Sequence, residues 1–322
     1  MPARVLACPA SLKGVLGPIE AAAALASGLR RVEGVVVDEL PLADGGDGTL
    51  EAVFRAIGGE WRTARVPDPL GRPVDARYLV LRDGRVVVES AEAIGLTLVA
   101  PEEREPLRAS SRGLGELVAA ALELDPRELV VGLGGVATVD GGAGMREVVA
   151  AFARPIVAAC DVRSPLLGPR GAARAFGPQK GAGPREVDEL EQRLGGMEEL
   201  APYAELPGAG AAGGLGAAFA ALGARLVPGA ELVLDLVRFQ ERLGGASLAI
   251  TGEGTIDASS TEGKAPGEVL RVCREESVRC AVFGGVVSSD VEGAELYELS
   301  GDPDRAADDL VELGERLGSS LV

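Results

Sequence analysis

Residues 35–49 read Val35-Val36-Val37-Asp38-Glu39-Leu40-Pro41-Leu42-Ala43-Asp44-Gly45-Gly46-Asp47-Gly48-Thr49. The stretch from Val35 to Leu40 is a β-branched run of strand length, and Pro41 closes it. The glycine-rich segment that follows carries acids and opens a helix through Ala56. Upstream, Arg4 to Cys8 reads as a short buried strand, Pro9 to Gly14 as a loop, and Pro18 to Arg31 as a helix with proline near its start. Strand, helix, strand, helix in succession predicts an α/β unit built on a parallel sheet.

Around Trp61 the pattern changes. Runs at 61–66, 74–81 and 85–89 alternate in polarity, with Asp83-Gly84 as a hairpin turn between the last two. Antiparallel strands at this point predict a second, mixed α/β domain inserted into the first. A helix over Gly113 to Leu122 and strands at Leu129 to Leu133 and Ile156 to Ala159 continue it. Helices follow over 184–198 and 213–222. The strand Ser247 to Thr251, a helix near 266–275, the strand Arg279 to Phe283 and a helix over 304–317 resume the first pattern. The expected architecture is thus a discontinuous Rossmann- or flavodoxin-like domain, 1–60 and 246–322, carrying an inserted domain over 61–245.

Composition narrows the function. Apolar residues make up 47% of the 322 and aromatics only 3%, so the core must be Ala, Val and Leu. A net charge of -17 argues against nucleic acid or an anionic membrane as partner, but leaves room for a small anion in a local basic pocket. The four cysteines lack CxxC spacing and the chain has no His, which argues against zinc and excludes Ser-His-Asp and Cys-His mechanisms. Reduced thiols, no signal peptide and no apolar run long enough for a bilayer predict a soluble cytoplasmic protein.

Three lysines remain against 29 arginines: Lys13, Lys180 and Lys264, each in a glycine- or proline-marked loop. A compact ammonium retained where Arg serves everywhere else points to phosphate-binding loops. One arrangement recurs at 44–49, 134–142 and 252–257: apolar strand, glycine-rich loop with Asp or Glu, then helix. Such loops meet ligands beyond the carboxyl ends of strands, and their amides and helix N-termini suit phosphate. Asp44, Asp140, Asp161, Glu253 and Asp257 would repel bare phosphate, so they imply a bridging Mg²⁺ or a general base. Singly, each Gly-Asp pair is only a turn. Gly208-Ala209-Gly210-Ala211-Ala212-Gly213 fits GxGxxG, yet it follows no clear apolar strand, and a close-packed loop and helix start is the better reading than a dinucleotide site.

Taken together the loops resemble the bacterial glycerate kinase family, the class of glyoxylate and glucarate metabolism. The matching stretches include Cys8 to Gly14, Leu42 to Thr49, Glu89 to Leu96 and Gly132 to Met145. Cys160-Asp161, Pro165 to Gly168, Phe176 to Ala182, Pro207 to Gly216 and Thr251 to Pro266 complete the set, in order along nearly the whole chain. The resemblance implies two α/β domains with a cleft between them, and ATP-dependent, Mg²⁺-assisted phosphorylation of D-glycerate, with 2-phosphoglycerate the favoured product. Its partners would be glycerate and ATP, with a homodimer left open. Lys13, Asp44, Asp161 and Lys264 are then the catalytic candidates. Ser11, Gly45, Gly46, Gly134, Gly135, Thr138, Asp140, Lys180 and Glu253 would bind phosphate or substrate, and Glu253 and Asp257 a metal. The chain also departs from the family at Ala10 (usually Asp), Val136 and Val139 (usually Ser and Asn), Arg163-Ser164 (usually Asp-Asn) and Thr255 (usually Arg). A segment after Met145 is missing. These departures keep open an impaired homologue that binds ligands, or one acting on another small hydroxy acid.

Overall fold

The computed structural model describes residues 2–12, 14–46, 48–257, 260 and 263–322. Its strands, in chain order, are β1 (Ala3–Ala7), β2 (Val35–Glu39), β3 (Glu60–Pro67), β4 (Pro73–Val80) and β5 (Arg85–Glu89). They continue with β6 (Glu128–Gly132), β7 (Ile156–Ala159), β8 (Arg225–Val227), β9 (Leu248–Ile256), β10 (Arg279–Val287) and β11 (Glu295–Glu298). Two compact units result: Met1–Asp44, Glu51–Gly58 and Gly229–Val322 form the first, Gly45–Leu50 and Gly59–Pro228 the second.

The first unit carries a sheet of order β11-β10-β9-β1-β2, parallel throughout. Starting from β1 the chain steps to β2 on one side, then returns to build β9, β10 and β11 on the other. This is the flavodoxin-like order, with its topological switch between β1 and β9. Val5, Ala7, Leu248, Ile250, Ala281 and Phe283 pack with the helices Pro18–Leu29 and Ala306–Ser319. The alternate positions Leu6, Ala249 and Val282 are equally buried, so both faces are covered, which explains strands that read as unbroken apolar runs. Gly28 and Gly314 let the two helices touch backbone to backbone: a Cβ on Gly28 would sit 1.9 Å from the Val311 carbonyl oxygen.

The second unit has a mixed sheet of order β3-β4-β5-β6-β7-β8, antiparallel from β3 to β5 and parallel from β5 to β8. Its core joins Val86, Val88, Leu129 and Val131 to Leu114, Leu117, Leu215 and Phe219 on helices.

Three placements differ from the sequence expectation, the first being that Gly45–Leu50 falls in the second unit although the sequence places 1–60 in the first. The pattern predicts a loop over 252–257, but β9 runs through Ile256, because β10 is equally long and pairs with it as far as Val287. Gly252 permits this, since a Cβ there would meet the Phe283 carbonyl oxygen at 2.2 Å. The helices Gly229–Leu236 and Phe239–Leu243 fall in the first unit, whereas the sequence places 229–245 in the insert. The first of them packs against the helix Ala265–Glu275 beside β9 and β10.

Candidate active site

The carboxyl ends of β1 and β9 are where ligands bind in a sheet of this order. There the backbone after β1 runs beside β9, with the Cys8 amide donating to the Ile250 carbonyl at 2.8 Å and the Ala10 amide to that of Gly252 at 2.9 Å. The segment after β2 follows β1 in turn, the Leu42 amide donating to the Pro9 carbonyl at 2.9 Å. Half-buried Asp44 ends that segment. A cavity of ≈ 310 Å³ opens at this edge, within the first unit, and Ser11, Glu253, Asp257 and Lys264 all line it.

Glu253 owes its direction to the extra length of β9. Its Oε1 accepts from the Ser260 hydroxyl at 2.7 Å and from the Lys264 ammonium at 3.4 Å. Ser260 is buried and also receives the Asp257 amide at 3.1 Å, so one hydroxyl ties the two acids together. Lys264 stands in extended conformation immediately before the helix Ala265–Glu275, which no side chain among the described residues caps and which has proline in its first turn. The start of that helix and the half-exposed ammonium of Lys264 therefore offer positive charge at one place. Among the described residues Lys264 is the basic side chain lining the cavity.

Among the described residues no three His, Cys, Asp or Glu side chains converge on a metal position. Glu253 and Asp257 nonetheless present hard oxygen donors to one cavity. Mg²⁺ is commonly held by one or two carboxylates together with substrate phosphates, so this pair suits a metal that arrives with a nucleotide.

The other predicted loops lie in the second unit and are more self-contained. Asp140 accepts from the Ser111 amide and hydroxyl, both at 2.8 Å, and from the amides of Gly142 and Gly144 at 3.1 and 3.2 Å. Ser111 in turn accepts the Met145 amide at 2.9 Å. The amides opening the helix Ala143–Val148 are thus largely taken by the protein itself. Buried Glu89 likewise accepts the Leu50 amide, at 2.7 Å, where the helix Thr49–Ile57 begins.

Lys180 is turned inward, its ammonium donating to the Thr138 carbonyl at 2.7 Å. Burial pushes that ammonium down to about 7, against the pull of Asp140. Thr138 is fully buried as well, so its hydroxyl is no surface donor. Gly45 and Gly46 pack on the strand-end glycines: a Cβ on Gly134 would meet the Gly46 Cα at 2.8 Å. The Gly135 carbonyl accepts the Leu96 amide at 2.7 Å. Val136 and Val139 belong to the hydrophobic core of this unit, where apolar side chains are at home. The GxGxxG glycines serve close packing, since a Cβ on Gly210 would meet the Pro165 carbonyl at 2.2 Å and one on Gly213 that of Thr138 at 2.0 Å.

Of the residues singled out by sequence, Ser11, Glu253, Asp257 and Lys264 come together in the cavity, and Asp44 lies on the same unit. Gly45, Gly46, Gly134, Gly135, Thr138, Asp140 and Lys180 form a packed group in the second unit, while Asp161 is exposed beyond β7. Lys13 and Asp47 lie outside the described residues. Sequence reading misses Ser260, Asp302 and Asp309. Ser260 is a serine in a polar loop, with nothing to mark it, and the two acids read as an ordinary solvated helix start.

A flavodoxin-like sheet with an acid- and lysine-lined cavity at its switch point, interrupted by a mixed α/β insert, defines a two-unit α/β protein with its candidate site in the first unit. The sequence signature of the Glycerate kinase family matches residues 5–154 and 149–301, and the chain belongs to that family. The two matches overlap at residues 149–154. Similar proteins include the glycerate kinase of Halalkalibacterium halodurans, 37% identical over 89% of this chain and 87% of that one. The glycerate 2-kinase of Escherichia coli K12 is 37% identical over 89% and 86%. A crystal structure assigned to glycerate kinase 2 of Salmonella typhimurium LT2 superposes with a TM-score of 0.86 at 31% identity, covering 100% of this chain and 98% of the other. No described helix is long and apolar enough to cross a membrane.

Proposed function

We propose that this protein is a glycerate kinase which transfers the terminal phosphoryl group of ATP to the 2-hydroxyl of D-glycerate, with Mg²⁺. The observation that carries this reading is the cavity at the β1/β9 switch, where Lys264, a helix start that no described side chain caps, Glu253 and Asp257 face one space. Phosphoryl transfer asks little covalent chemistry of a protein and much positioning and charge compensation. The glycerate oxygen attacks the terminal phosphorus, the bridging oxygen leaves with ADP, and the hydroxyl proton goes to a carboxylate. Asp44, at the same sheet edge, is assigned that proton. Lys264 and the amides behind it offset charge on the group in transfer, and Ser11 adds a hydroxyl donor. Glu253 and Asp257 would hold the Mg²⁺, which when bound neutralises phosphate charge that these carboxylates would otherwise repel. The packed loops around Thr138, Asp140 and Lys180 hold the second unit's backbone in shape. All four cysteines are free and buried, which accords with action in the reducing cytoplasm.

The test is ADP release with Mg-ATP and D-glycerate, with the product read by ³¹P NMR. Robust release that Asp44→Ala and Lys264→Ala lose, with a 2-phosphate resonance, is the expected result. A folded wild-type protein without turnover on D-glycerate overturns the reading, and a 3-phosphate product overturns its regiochemistry.

A further inference from the structure

The cavity has a second half that the phosphate chemistry does not use. Beyond Glu253 it continues across the sheet over Gly285 and Val286 at the end of β10, then along Leu299 to Pro303 after β11. From β1 to β11 there are three inter-strand spacings, about 14 Å. The charged groups named above sit at the β1/β9 end. The far half is lined by side chains of a different kind, namely Val286, Leu299, Pro303 and Ala306, with Asp302 at the rim.

Its floor is bare backbone. A Cβ on Gly285 would lie 3.0 Å from the Gly254 carbonyl oxygen, and one on Gly301 would lie 3.5 Å from that of Gly285. Three glycines on neighbouring chain segments thus leave a shelf free of side chains, flanked by aliphatic residues, which suits a flat ring better than a branched or charged group. The outer wall is fixed in place. The Leu299 amide donates to the Gly284 carbonyl at 2.9 Å, extending the ladder, and buried Asp309 accepts the Ser300 amide at 2.9 Å and the Ser300 hydroxyl. Gly301, with φ +77, then turns the chain so that Asp302 ends up exposed at the mouth. One Asp302 oxygen, Oδ1, accepts the Asp304 amide at 3.0 Å.

We propose that this far half is the nucleoside end of the ATP site: the base lies on the Gly254–Gly285–Gly301 shelf against Val286 and Leu299, and Asp302 accepts hydrogen bonds from the ribose hydroxyls. Asp309 is a positioning residue that holds the wall. The assignment rests on the reading of ATP as phosphoryl donor. It places the nucleotide wholly on the first unit, with its phosphates toward Lys264. A carboxylate facing ribose hydroxyls is a recurrent solution in sheets of this class, because two adjacent hydroxyls offer two donors to one acceptor group.

The experiment is calorimetric binding of Mg-ADP to the full chain, alongside glycerate-dependent turnover. Val286 is 49% exposed, so Val286→Arg fills the slot without disturbing the core. It is expected to weaken Mg-ADP by about tenfold or more, while leaving the KM for glycerate unchanged. Asp302→Ala is expected to weaken Mg-ADP by about fivefold and, more tellingly, to abolish the preference of the wild type for ADP over 2′,3′-dideoxy-ADP. Wild-type affinity for Mg-ADP in both variants overturns the nucleoside slot, as does a rise in the KM for glycerate alone. Turnover that persists with unaltered ADP affinity in both variants sinks the slot but spares the kinase. Nucleotide binding that responds as expected in a protein inert toward glycerate sinks the kinase but spares the slot. A wild type that binds no nucleotide removes both.

Discussion

The loop–helix junction at 251–268 and the one at 132–145 look alike in sequence, each an apolar strand followed by glycines, an acid and a helix, and they do opposite things. In the second unit Asp140 spends both oxygens on Ser111 and on the amides of Gly142 and Gly144, and Lys180 is drawn inside to the Thr138 carbonyl. In the first unit Glu253 is engaged by Ser260 and Lys264, the helix start at Ala265 has no side-chain cap among the described residues, and the group faces a cavity. What separates the two junctions is therefore where the acid goes. An acid that folds back on its own amides quenches the positive end of the helix, whereas one that pairs with a side chain leaves the amides available.

Lys264→Ala attacks the open junction directly and carries the largest expected effect. If the ammonium compensates charge only in the transition state, kcat/KM falls by roughly 10³. Stability should barely move, because the Lys264–Glu253 pair is partly exposed and loose at 3.4 Å. Steady-state kinetics with a parallel urea melt separate the two. Asp140→Ala is the mirror experiment at the closed junction. Removing that carboxylate leaves three amides and a hydroxyl without their acceptor, a loss of roughly 3 kcal/mol, read as a lower urea midpoint. A kinetic collapse at 140 with unchanged stability would erase the contrast.

Much of the fold is legible in the sequence because its strands are buried on both faces or alternate cleanly. Val35 to Leu40 and the runs at 61–66, 74–81 and 85–89 each match an observed strand to within a residue or so. The site is legible only in part, and for a physical reason. Glycine with an acid marks a turn, a metal loop or a phosphate loop equally well, and choosing among them needs the partner of the acid, which lies far along the chain. Asp140 finds Ser111, 29 residues away, and Lys180 finds Thr138, 42 away. Rarity of lysine selects three loops but does not say which way an ammonium points. Ser260 and Asp302 escape notice because nothing in their local pattern differs from a solvated loop.

The closed junction also has a pH signature. Folded Lys180 gives up its proton near 7, against an ordinary value of 10.5, with burial as the cause. Between those values the unfolded chain binds more protons than the folded one, so this group makes stability rise with pH. Below about 7 both states are protonated and the cost of burying the charge is felt in full. Lys180→Met keeps the length and removes the charge, and the difference in urea stability between wild type and variant should therefore shift by up to about 1.4 kcal/mol per pH unit from pH 7 to 8.5. Higher pH is less informative in the wild type alone, since burial raises the Cys160 thiol to about 11 and works in the opposite direction. A difference that stays flat across that range would mean the ammonium reaches solvent, and the closed junction would have to be redrawn.

The smallest effect sharpens the comparison most. The Thr138 hydroxyl is buried without a hydrogen-bond partner among the described residues, while the carbonyl of the same residue holds Lys180. Thr138→Val exchanges that hydroxyl for a methyl group of similar shape and leaves the carbonyl untouched. An unpaired buried hydroxyl is a liability, so stability should stay level or rise by up to about 1 kcal/mol, visible as a small increase in melting temperature. Activity should be unchanged, because on this view the loop after β6 holds its unit together and donates nothing to a phosphate. A phosphate cradle would answer differently: losing the hydroxyl would then raise the KM for ATP while the melting temperature hardly moved. The KM for ATP separates the two cases, so even a sub-kilocalorie variant decides whether the second glycine-rich loop belongs with the ligand or with the core.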